Sequence, residues 1–290
     1  MGKFSIGVIS DTFGLNLRDG ISTSKKLGAA GVQIYAPQDE LSYKLTAAER
    51  KDLLSFIKSN GLVVSAICGQ IPGHGLCIAE DNPEKIESLK KTLTLTMDLE
   101  CNIVTTHIGV IPEDKNNPTW KIMLDACLEL SEYASSLGAY YAIETGPEKA
   151  IVLKEFLDNI PTNGMQVNLD PANLVMVTDD DPVEAVYTLK DYIVHTHAKD
   201  GIMNKYMGPE PVYNAFAEGG VDALMALDGL FTETVIGQGN VPWNKYLKAL
   251  DDIGFSGFLT IEREGAKDPQ KDVKEGIEFL NKKLAEMGLS

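Results

Sequence analysis

Short runs of apolar and β-branched residues alternate along the chain with longer segments in which apolar residues recur at helical spacing. The short runs are typical of buried strands, and the longer segments are typical of amphipathic helices. The runs predicted as strands are Phe4–Ser10, Gly31–Ala36, Leu62–Gly69, Asn102–Gly109, Tyr140–Thr145, Met165–Asp170, Tyr192–Ala198 and Gly257–Arg263. The clearest helical segments are Thr46–Asn60, Glu84–Leu99, Thr119–Leu137, Lys149–Asn159, Asn244–Ile253 and Asp272–Glu286.

The order of these elements predicts the fold class. Glycines stand just past several helical segments, at positions 28, 61, 138 and 254, and an apolar strand follows each of them. Glycine at this place commonly ends a helix. Eight strand-helix units in 290 residues favour a closed parallel barrel over an open sheet. We therefore expect an α/β protein in which residues 1–290 form a single (β/α)₈ TIM-barrel domain.

One connection is much longer than the others. The segment between Ala198 and Trp243 contains a predicted helix around Val212–Leu227. Long connections inside compact domains are usually functional, and an insertion after the seventh barrel strand lies on the catalytic face. We expect this insertion, residues 201–240, to form a lid over the active-site mouth. The alternative is that the insertion is a surface loop with no function.

The last four predicted strands end in ionisable residues. Their C-terminal sequences are YYAIETG, MQVNLDP, YIVHTHAKD and GFLTIERE, which contain Glu144, Asp170, His197 and Glu262. A charged group in an apolar strand is costly unless it is paired or bound to a metal. Because side chains alternate along a strand, Ile143, Leu169 and Ile261 would face the outer helices and the adjacent carboxylates would face inward.

These four residues predict a metal site. The C-terminal ends of barrel strands surround one mouth, so consecutive strands bring their terminal side chains to one point. Convergent carboxylates repel one another unless a cation lies among them. Three oxygen ligands and one imidazole favour Mn²⁺ or Mg²⁺, with Co²⁺ and Zn²⁺ as alternatives. The predicted site is one divalent ion held by Glu144, Asp170, His197 and Glu262.

Four further side chains are predicted as substrate contacts at this mouth. His107 ends the fourth predicted strand. Lys199 is two residues after His197, so its side chain points to the same face and can reach the site, where it could neutralise an enolate or a phosphate. Asn173 either binds a substrate hydroxyl or caps the turn that follows its strand. His195 shares a face with His197 but lies about 6.6 Å deeper by strand rise. It is therefore either a substrate contact or a hydrogen-bonded core residue.

Composition and charge limit the partners. The chain is 44% hydrophobic and 23% charged, with a net charge of −16, as expected of a globular protein that repels nucleic acid. No apolar window is long enough for a membrane span, and the first residues lack the features of a signal peptide. The four cysteines include no close pair, which favours a reduced, cytoplasmic protein.

The segments IETGP, LDPANL, VHTHAKD and TIERE, with GQGNVPWNKYLKALDDIGFSGFLTIE before the last ligand, resemble the xylose isomerase-like barrel superfamily over nearly the whole chain. The sugar phosphate isomerase/epimerase branch is the most similar. The resemblance implies that the four predicted ligands bind one divalent cation and that Glu144 and Glu262 act as acid and base beside it. It also implies a small sugar or polyol substrate, phosphorylated or free. A homo-oligomer is compatible with it, since barrels of this superfamily often form dimers and tetramers.

Departures from the family pattern keep several functions open. Asn173 stands where many ketose 3-epimerases have a histidine, and Lys199 and Asp200 stand where those enzymes have an arginine. The His-x-Lys-Asp pattern is similar to that of inosose dehydratases. The first expectation is an isomerase or epimerase that abstracts an α-proton from a ketose or related polyol between two carboxylates. The alternative is a dehydratase that acts on a keto-inositol or keto-sugar.

Two functions of other classes are weaker expectations. A non-enzymatic sugar-binding barrel would have a broken ligand set, whereas all four ligand positions are filled here. The superfamily also includes apurinic-site endonucleases, whose zinc cluster needs more histidines than the four of this chain. The acidic charge argues against DNA as a substrate as well.

Overall fold

The computed structural model describes residues 3–38, 40–227 and 229–289, without the side chains of residues 221, 222 and 224–226. Eight parallel strands form the centre of the molecule: β1 Phe4–Ile9, β2 Gly31–Ala36, β3 Val63–Gly69, β4 Ile103–Thr106, β5 Tyr140–Glu144, β6 Met165–Leu169, β7 Ile193–Ala198 and β10 Gly257–Ile261. They close into a barrel in the order β1-β10-β7-β6-β5-β4-β3-β2. This arrangement confirms the predicted single-domain (β/α)₈ TIM barrel.

Helices surround the barrel and separate consecutive strands. They are α1 Leu17–Leu27, α2 Ala47–Ser59, α3 Asn82–Asp98, α4 Pro118–Leu137, α5 Ala150–Leu157, the single turn α6 Pro171–Asn173, α7 Pro182–Thr188, α8 Pro209–Ala226, α9 Trp243–Asp252 and α10 Pro269–Met287. A short 3₁₀ helix, Ser10–Phe13, follows β1, and a π-helical turn, Leu174–Thr178, follows α6. Within the described part of the chain, none of these helices combines the length and apolarity needed to cross a membrane.

The hydrophobic core lies between the barrel wall and the helices. Every residue of β6 is buried, because a barrel strand is covered by helices on one face and by barrel interior on the other. Local signals define several helix ends. A capping box of Thr46 and Glu49 begins α2, and Gly28 and Gly138 end α1 and α4 in the left-handed conformation.

Several strands end earlier than their sequence pattern predicts, whereas β2, β3 and β7 end where it predicts. β4 stops at Thr106 rather than Gly109, and β10 stops at Ile261 rather than Arg263. β6 stops at Leu169 because Asp170 leaves the ladder to cap the next helical turn. The apolar pattern continues past the last ladder hydrogen bond since loop residues at the mouth also pack inward. The four predicted metal ligands therefore lie near or just beyond the strand ends, with their side chains at the mouth.

The insertion after the seventh barrel strand is a structured excursion. Two short antiparallel strands, β8 Asp200–Met203 and β9 Phe231–Thr234, form its base. Helix α8 lies between them and starts before the predicted helix around Val212–Leu227. It is kinked at Gly220, whose φ of 64° is readily adopted only by glycine. Residue 228, which belongs to the predicted lid, lies outside the described residues.

One buried carboxylate fastens the two ends of this insertion. Asp200 Oδ1 accepts hydrogen bonds from the backbone N–H groups of Gly201 at 2.9 Å and Val241 at 3.1 Å. Its Oδ2 accepts from the backbone N–H of Gly237 at 2.8 Å and from Nε1 of Trp243 at 2.9 Å. The start of the insertion and its return to the barrel are thus joined through the side chain of Asp200.

Replacing Asp200 by alanine should lower the free energy of unfolding by about 3 kcal/mol or more, because four N–H donors lose their acceptor. Urea unfolding measures this loss. A matched control is Asp125→Ala, which removes an exposed pair with Lys121 and should change stability by less than about 0.5 kcal/mol. Similar losses in the two variants would contradict the role of Asp200.

Candidate metal centre

The four predicted ligands converge at the C-terminal mouth of the barrel. Glu144 is the last residue of β5, Asp170 follows β6, His197 lies in β7 and Glu262 follows β10. These strands are consecutive in the barrel order. Each residue offers one ligand atom, and these atoms all lie within 4.8 Å of one another. The closure of the barrel therefore brings together side chains from widely separated parts of the sequence.

The charges of the cluster are tightly coupled. His197 Nδ1 lies 3.0 Å from Glu262 Oε2 and 3.5 Å from both Glu144 Oε1 and Asp170 Oδ2. Burial alone would lower the pKa of His197, but the surrounding carboxylates raise it well above its ordinary value. Burial alone would raise the pKa of Glu144, yet the charges of His197 and His107 bring that pKa below its ordinary value. The cluster requires positive charge, which a proton or a metal cation can supply.

Three buried atoms of the cluster lack a hydrogen bond. They are Asp170 Oδ2, His197 Nδ1 and Glu262 Oε2, one from each of three ligands. Buried polar atoms are nearly always satisfied in folded proteins. A divalent cation among them would satisfy all three, and the donor set of three carboxylates and one imidazole suits such an ion. The residues therefore fit the predicted metal.

The two carboxylate oxygens of Asp170 have different roles. Its Oδ1 accepts hydrogen bonds from the backbone N–H groups of Ala172 at 2.8 Å and Asn173 at 3.0 Å, which caps α6. The capping bonds fix the carboxylate so that Oδ2 faces the other ligands. Asn173 Nδ2 in turn donates to Glu144 Oε1 at 3.0 Å. The predicted substrate contact Asn173 thus lies beside the cluster and orients one of its carboxylates.

The second nitrogen of His197 faces the barrel interior. Its Nε2 lies 3.2 Å from Gln33 Oε1 and 3.1 Å from the side-chain amide of Asn168. A neutral His197 that offers Nδ1 to a cation must carry its proton on Nε2, where Gln33 Oε1 can accept it and the amide nitrogen of Asn168 cannot donate. Asn168 donates to Glu144 Oε2 at 3.3 Å. Gln33 and Asn168 therefore hold the ligands from below.

His195 lies in this lower layer. It is almost fully buried, its Nε2 is 3.0 Å from Gln33 Oε1, and its ring centroid is 6.0 Å from that of His197. Burial lowers the pKa of His195 to about 3, so the imidazole is neutral. The sequence left two roles open for His195, and this placement favours a hydrogen-bonded core residue over a substrate contact.

His107 and Lys199 lie at the mouth, on opposite sides of the cluster. His107 has a side chain that is 38% exposed, and its Nε2 is 3.5 Å from Glu144 Oε1. Tyr213 of α8 covers it, with ring centroids 5.9 Å apart. Lys199 Nζ is 3.3 Å from Glu262 Oε2. Both predicted substrate contacts are thus adjacent to a predicted ligand.

A carboxylate of the insertion joins this network. Glu233 on β9 lies with its Oε2 3.7 Å from Lys199 Nζ. Its Oε1 accepts hydrogen bonds from Arg263 Nη1 at 2.9 Å and from the backbone N–H of Glu264 at 2.7 Å. Burial raises the pKa of Glu233 to about 7, against the lowering effect of Lys199. The insertion is thereby tied to the end of β10, next to Glu262.

Glu148 is a second buried carboxyl that the sequence analysis missed. It is 5% exposed, its Oε2 accepts a hydrogen bond from the backbone N–H of Ile111 at 3.4 Å, and its Oε1 has no partner. Burial raises the pKa of Glu148 to about 8, so the carboxyl is mostly protonated at neutral pH. It lies in the loop after β5, on the same face of the barrel as the cluster.

Some of the missed residues had a signal in the sequence. Gln33 and Asn168 are polar residues inside otherwise apolar strands, and their parity points into the barrel. Tyr213, Glu148 and Glu233 carry no comparable signal, because they reach the site through loops and the insertion.

Comparison with known proteins gives a family and one curated relative. A family model described as xylose isomerase-like TIM barrel matches residues 21–283. The chain is 24% identical over 216 residues to an uncharacterised protein of Methanocaldococcus jannaschii, and the alignment covers 69% of this chain. The chain covers 65% of the length of that relative.

Solved structures with the same fold include sugar epimerases and a dehydratase. A xylose isomerase domain protein from Planctomyces limnophilus has a TM-score of 0.80 and 24% identity, over 98% of this chain and 99% of that one. D-psicose 3-epimerase in the presence of D-fructose has a TM-score of 0.71 and 16% identity, over 97% and 99%. The probable 3-DHS dehydratase of petrobactin synthesis from Bacillus anthracis has a TM-score of 0.71 and 16% identity, over 96% and 98%. At these identities the likeness shows a shared fold.

We expect about one divalent metal ion per chain, and Asp170→Asn should weaken its binding at least about tenfold because an amide replaces an anionic ligand. Elemental analysis and metal titration of protein purified without chelator measure this. The control Asp181→Asn alters another helix cap, at α7, and should leave the metal content unchanged. Several zinc ions per chain, or a metal-free wild type under metal-replete conditions, would contradict the site.

Replacing Glu148 by glutamine should raise the free energy of unfolding in a pH-dependent way. A carboxyl whose pKa rises from 4.5 to about 8 on folding loses its stabilising contribution as the pH rises through that range. The gain of the variant over wild type should therefore be small near pH 5 and grow towards pH 8, by at most about 1.4 kcal/mol per pH unit. Urea unfolding at both pH values tests this, with the exposed Glu132→Gln as control. A gain that does not change with pH would count against it.

Proposed function

The chain belongs to the xylose isomerase-like TIM barrel family, and from this premise we propose that it is a divalent-metal-dependent sugar isomerase or epimerase. The proposed substrate is a ketose or related polyol, and the proposed chemistry is α-proton abstraction between two carboxylates. The observation that carries the proposal is the convergence of Glu144, Asp170, His197 and Glu262 around unpartnered ligand atoms. Mn²⁺ or Mg²⁺ is the proposed ion, on the grounds of the oxygen-rich ligand set.

Glu144 and Glu262 are the proposed acid and base. They lie at the C-terminal ends of β5 and β10, the two outer strands of the arc that carries the ligands, so they can approach a substrate carbon from opposite sides. One carboxylate takes the proton from carbon, and the other returns a proton to the opposite face. A divalent cation bound here would supply polarisation of the neighbouring carbonyl and stabilise the negative charge that develops.

The two carboxylates have different surroundings. Glu144 accepts hydrogen bonds from the amides of Asn168 and Asn173, which fix its orientation. Glu262 has the ammonium group of Lys199 beside it at 3.3 Å. His107, 3.5 Å from Glu144, can pass a proton to or from that carboxylate or bind a substrate oxygen.

A dehydratase is the second candidate function. Asn173, in the position of the histidine found in many ketose 3-epimerases, is hydrogen bonded to Glu144 and to the backbone oxygen of Thr145. The resemblance to ketose 3-epimerases is therefore incomplete at this position. The first step of an elimination would be the same proton abstraction, after which the second carboxylate would assist a leaving hydroxyl.

The insertion of residues 201–240 is proposed as the lid of this site. Its base is fastened by Asp200 and Glu233, while Tyr213 of α8 lies over His107. Exclusion of water by such a cover would strengthen the electrostatic interactions inside. A cytoplasmic location is proposed from the four free cysteines. A small-molecule partner and a homo-oligomer remain part of the proposal.

Entry of solvent deuterium into the substrate tests the mechanism. Free ketoses, keto-inositols and ketose phosphates are incubated in D₂O with metal-loaded enzyme, and exchange and products are followed by NMR. Glu144→Gln and Glu262→Gln should each lower the rate by about 10²–10⁴-fold at matched metal occupancy. The surface variant Glu132→Gln should retain the wild-type rate.

The products separate the two candidates. Exchange with return of the proton to carbon identifies an isomerase or epimerase, and exchange with loss of water identifies a dehydratase. Turnover with no loss of the α-proton at any stage would show a hydride shift and refute the two-carboxylate mechanism.

A further inference from the structure

A cavity opens on the same face of the barrel as the metal centre. It has a volume of about 500 Å³ and lies between the loops that follow β1 and β2, lined by Ser10, Asp11, Leu15, Leu17, Ile34, Tyr35, Gln38, Glu40 and Leu41. β1 is the direct neighbour of β10, whose C-terminal end leads to Glu262. The cavity therefore continues the ring of ligand-bearing strand ends on the Glu262 side.

Tyr35 lines the cavity and lies on the same strand as Gln33, a neighbour of the metal centre. Its backbone N–H donates to Asp11 Oδ2 at 3.2 Å. Its place on β2, two residues after Gln33, gives its side chain the inward parity of Gln33, which contacts His197.

The lining of the cavity matches a hydroxylated ligand. Ser10, Asp11, Tyr35 and Gln38 offer hydrogen-bonding groups, while four aliphatic side chains form apolar wall. This combination of apolar surface with a few polar groups is typical of small-molecule sites, whose volumes run from about 300 to 1,000 Å³. A cavity of about 500 Å³ has room for a group the size of a sugar ring.

The charge of this region disfavours an anion. Among the described lining residues there is no lysine or arginine, whereas Asp11 and Glu40 are acidic. The cations beside Glu262 are already paired. Lys199 lies within 3.7 Å of three carboxylates, and Arg263 is bound to Glu233 and Asp272. A phosphate group here would meet negative potential without a free cation to bind it.

We propose that the cavity between the β1 and β2 loops is a subsite for a neutral, hydroxylated ring attached to the reacting sugar. The substrate class is then an uncharged glycoside or disaccharide, with the reacting ring at the metal centre and the second ring in the cavity. The inference rests on the proposed function, because that function places the reacting ring at the metal centre. The shape and charge of the cavity do not depend on which reaction takes place.

Direct binding to the metal-loaded protein tests this without relying on turnover. The probes are trehalose, maltose, cellobiose and sucrose, their component monosaccharides, and glucose 6-phosphate, measured by ligand-observed NMR and calorimetry. We expect at least one disaccharide to bind about tenfold or more tightly than its monosaccharides, and glucose 6-phosphate to bind more weakly than glucose. Gln38→Ala and Asp11→Ala should remove the disaccharide advantage, with metal content near that of wild type as the check on folding. Gln270→Ala, an exposed glutamine on α10, should retain it.

The results separate the subsite from the reaction. If no disaccharide binds more tightly than its monosaccharides, if the advantage survives both cavity variants, or if the phosphate ester binds more tightly than glucose, the subsite is refuted. If the disaccharide advantage is found but no probe or keto-sugar exchanges its α-proton in D₂O, the subsite stands and the proposed reaction fails.

Discussion

Three carboxylates that converge in a buried space repel one another unless a positive charge lies among them, and the structure is organised around that constraint. Glu144, Asp170 and Glu262 surround His197 with separations of 3.0 to 3.5 Å, and three atoms of the group lack a hydrogen bond. Such a cluster is unfavourable for folding on its own. A bound cation would turn this repulsion into coordination, and these residue types are the ones that suit such an ion.

The surrounding residues fix the ligands through neutral groups. Asp170 is held by backbone N–H groups at the start of α6, Glu144 by the amides of Asn168 and Asn173, and the inner nitrogen of His197 faces Gln33. Amides and backbone groups orient a ligand without supplying charge that would compete with a cation. Two cationic side chains also lie beside the carboxylates: Lys199 next to Glu262 and, when protonated, His107 next to Glu144. The two sides of the mouth are therefore chemically different, which suits a pair of carboxylates with distinct roles in proton transfer.

The insertion is part of this electrostatic arrangement. Asp200 fastens both of its ends through four hydrogen bonds, and Glu233 connects it to Arg263 and the backbone at the end of β10. Its helix α8 places Tyr213 against His107 on the opposite side of the mouth. The insertion thus contacts the surroundings of both proposed catalytic carboxylates. Because Lys199 and Arg263 are paired within this network, the mouth offers little free positive charge, in agreement with a neutral substrate.

The sequence by itself determined the barrel and the convergence of its four predicted ligands, since both depend on local regularities. Apolar periodicity separates strands from helices, alternation along a strand assigns each side chain a face, and parallel closure brings the strand ends to one mouth. Only the tertiary structure decided what surrounds those ligands. Gln33 and His197 are 164 residues apart, and their contact depends on barrel closure and on the registers between neighbouring strands. Glu148, Glu233 and the cavity depend on loop paths, for which the chain has no repeating pattern. Alternation along β7 shows that the side chain of His195 points into the barrel, but it does not show which residue that side chain contacts. His195 could be placed in the core only when its contact with Gln33 was known.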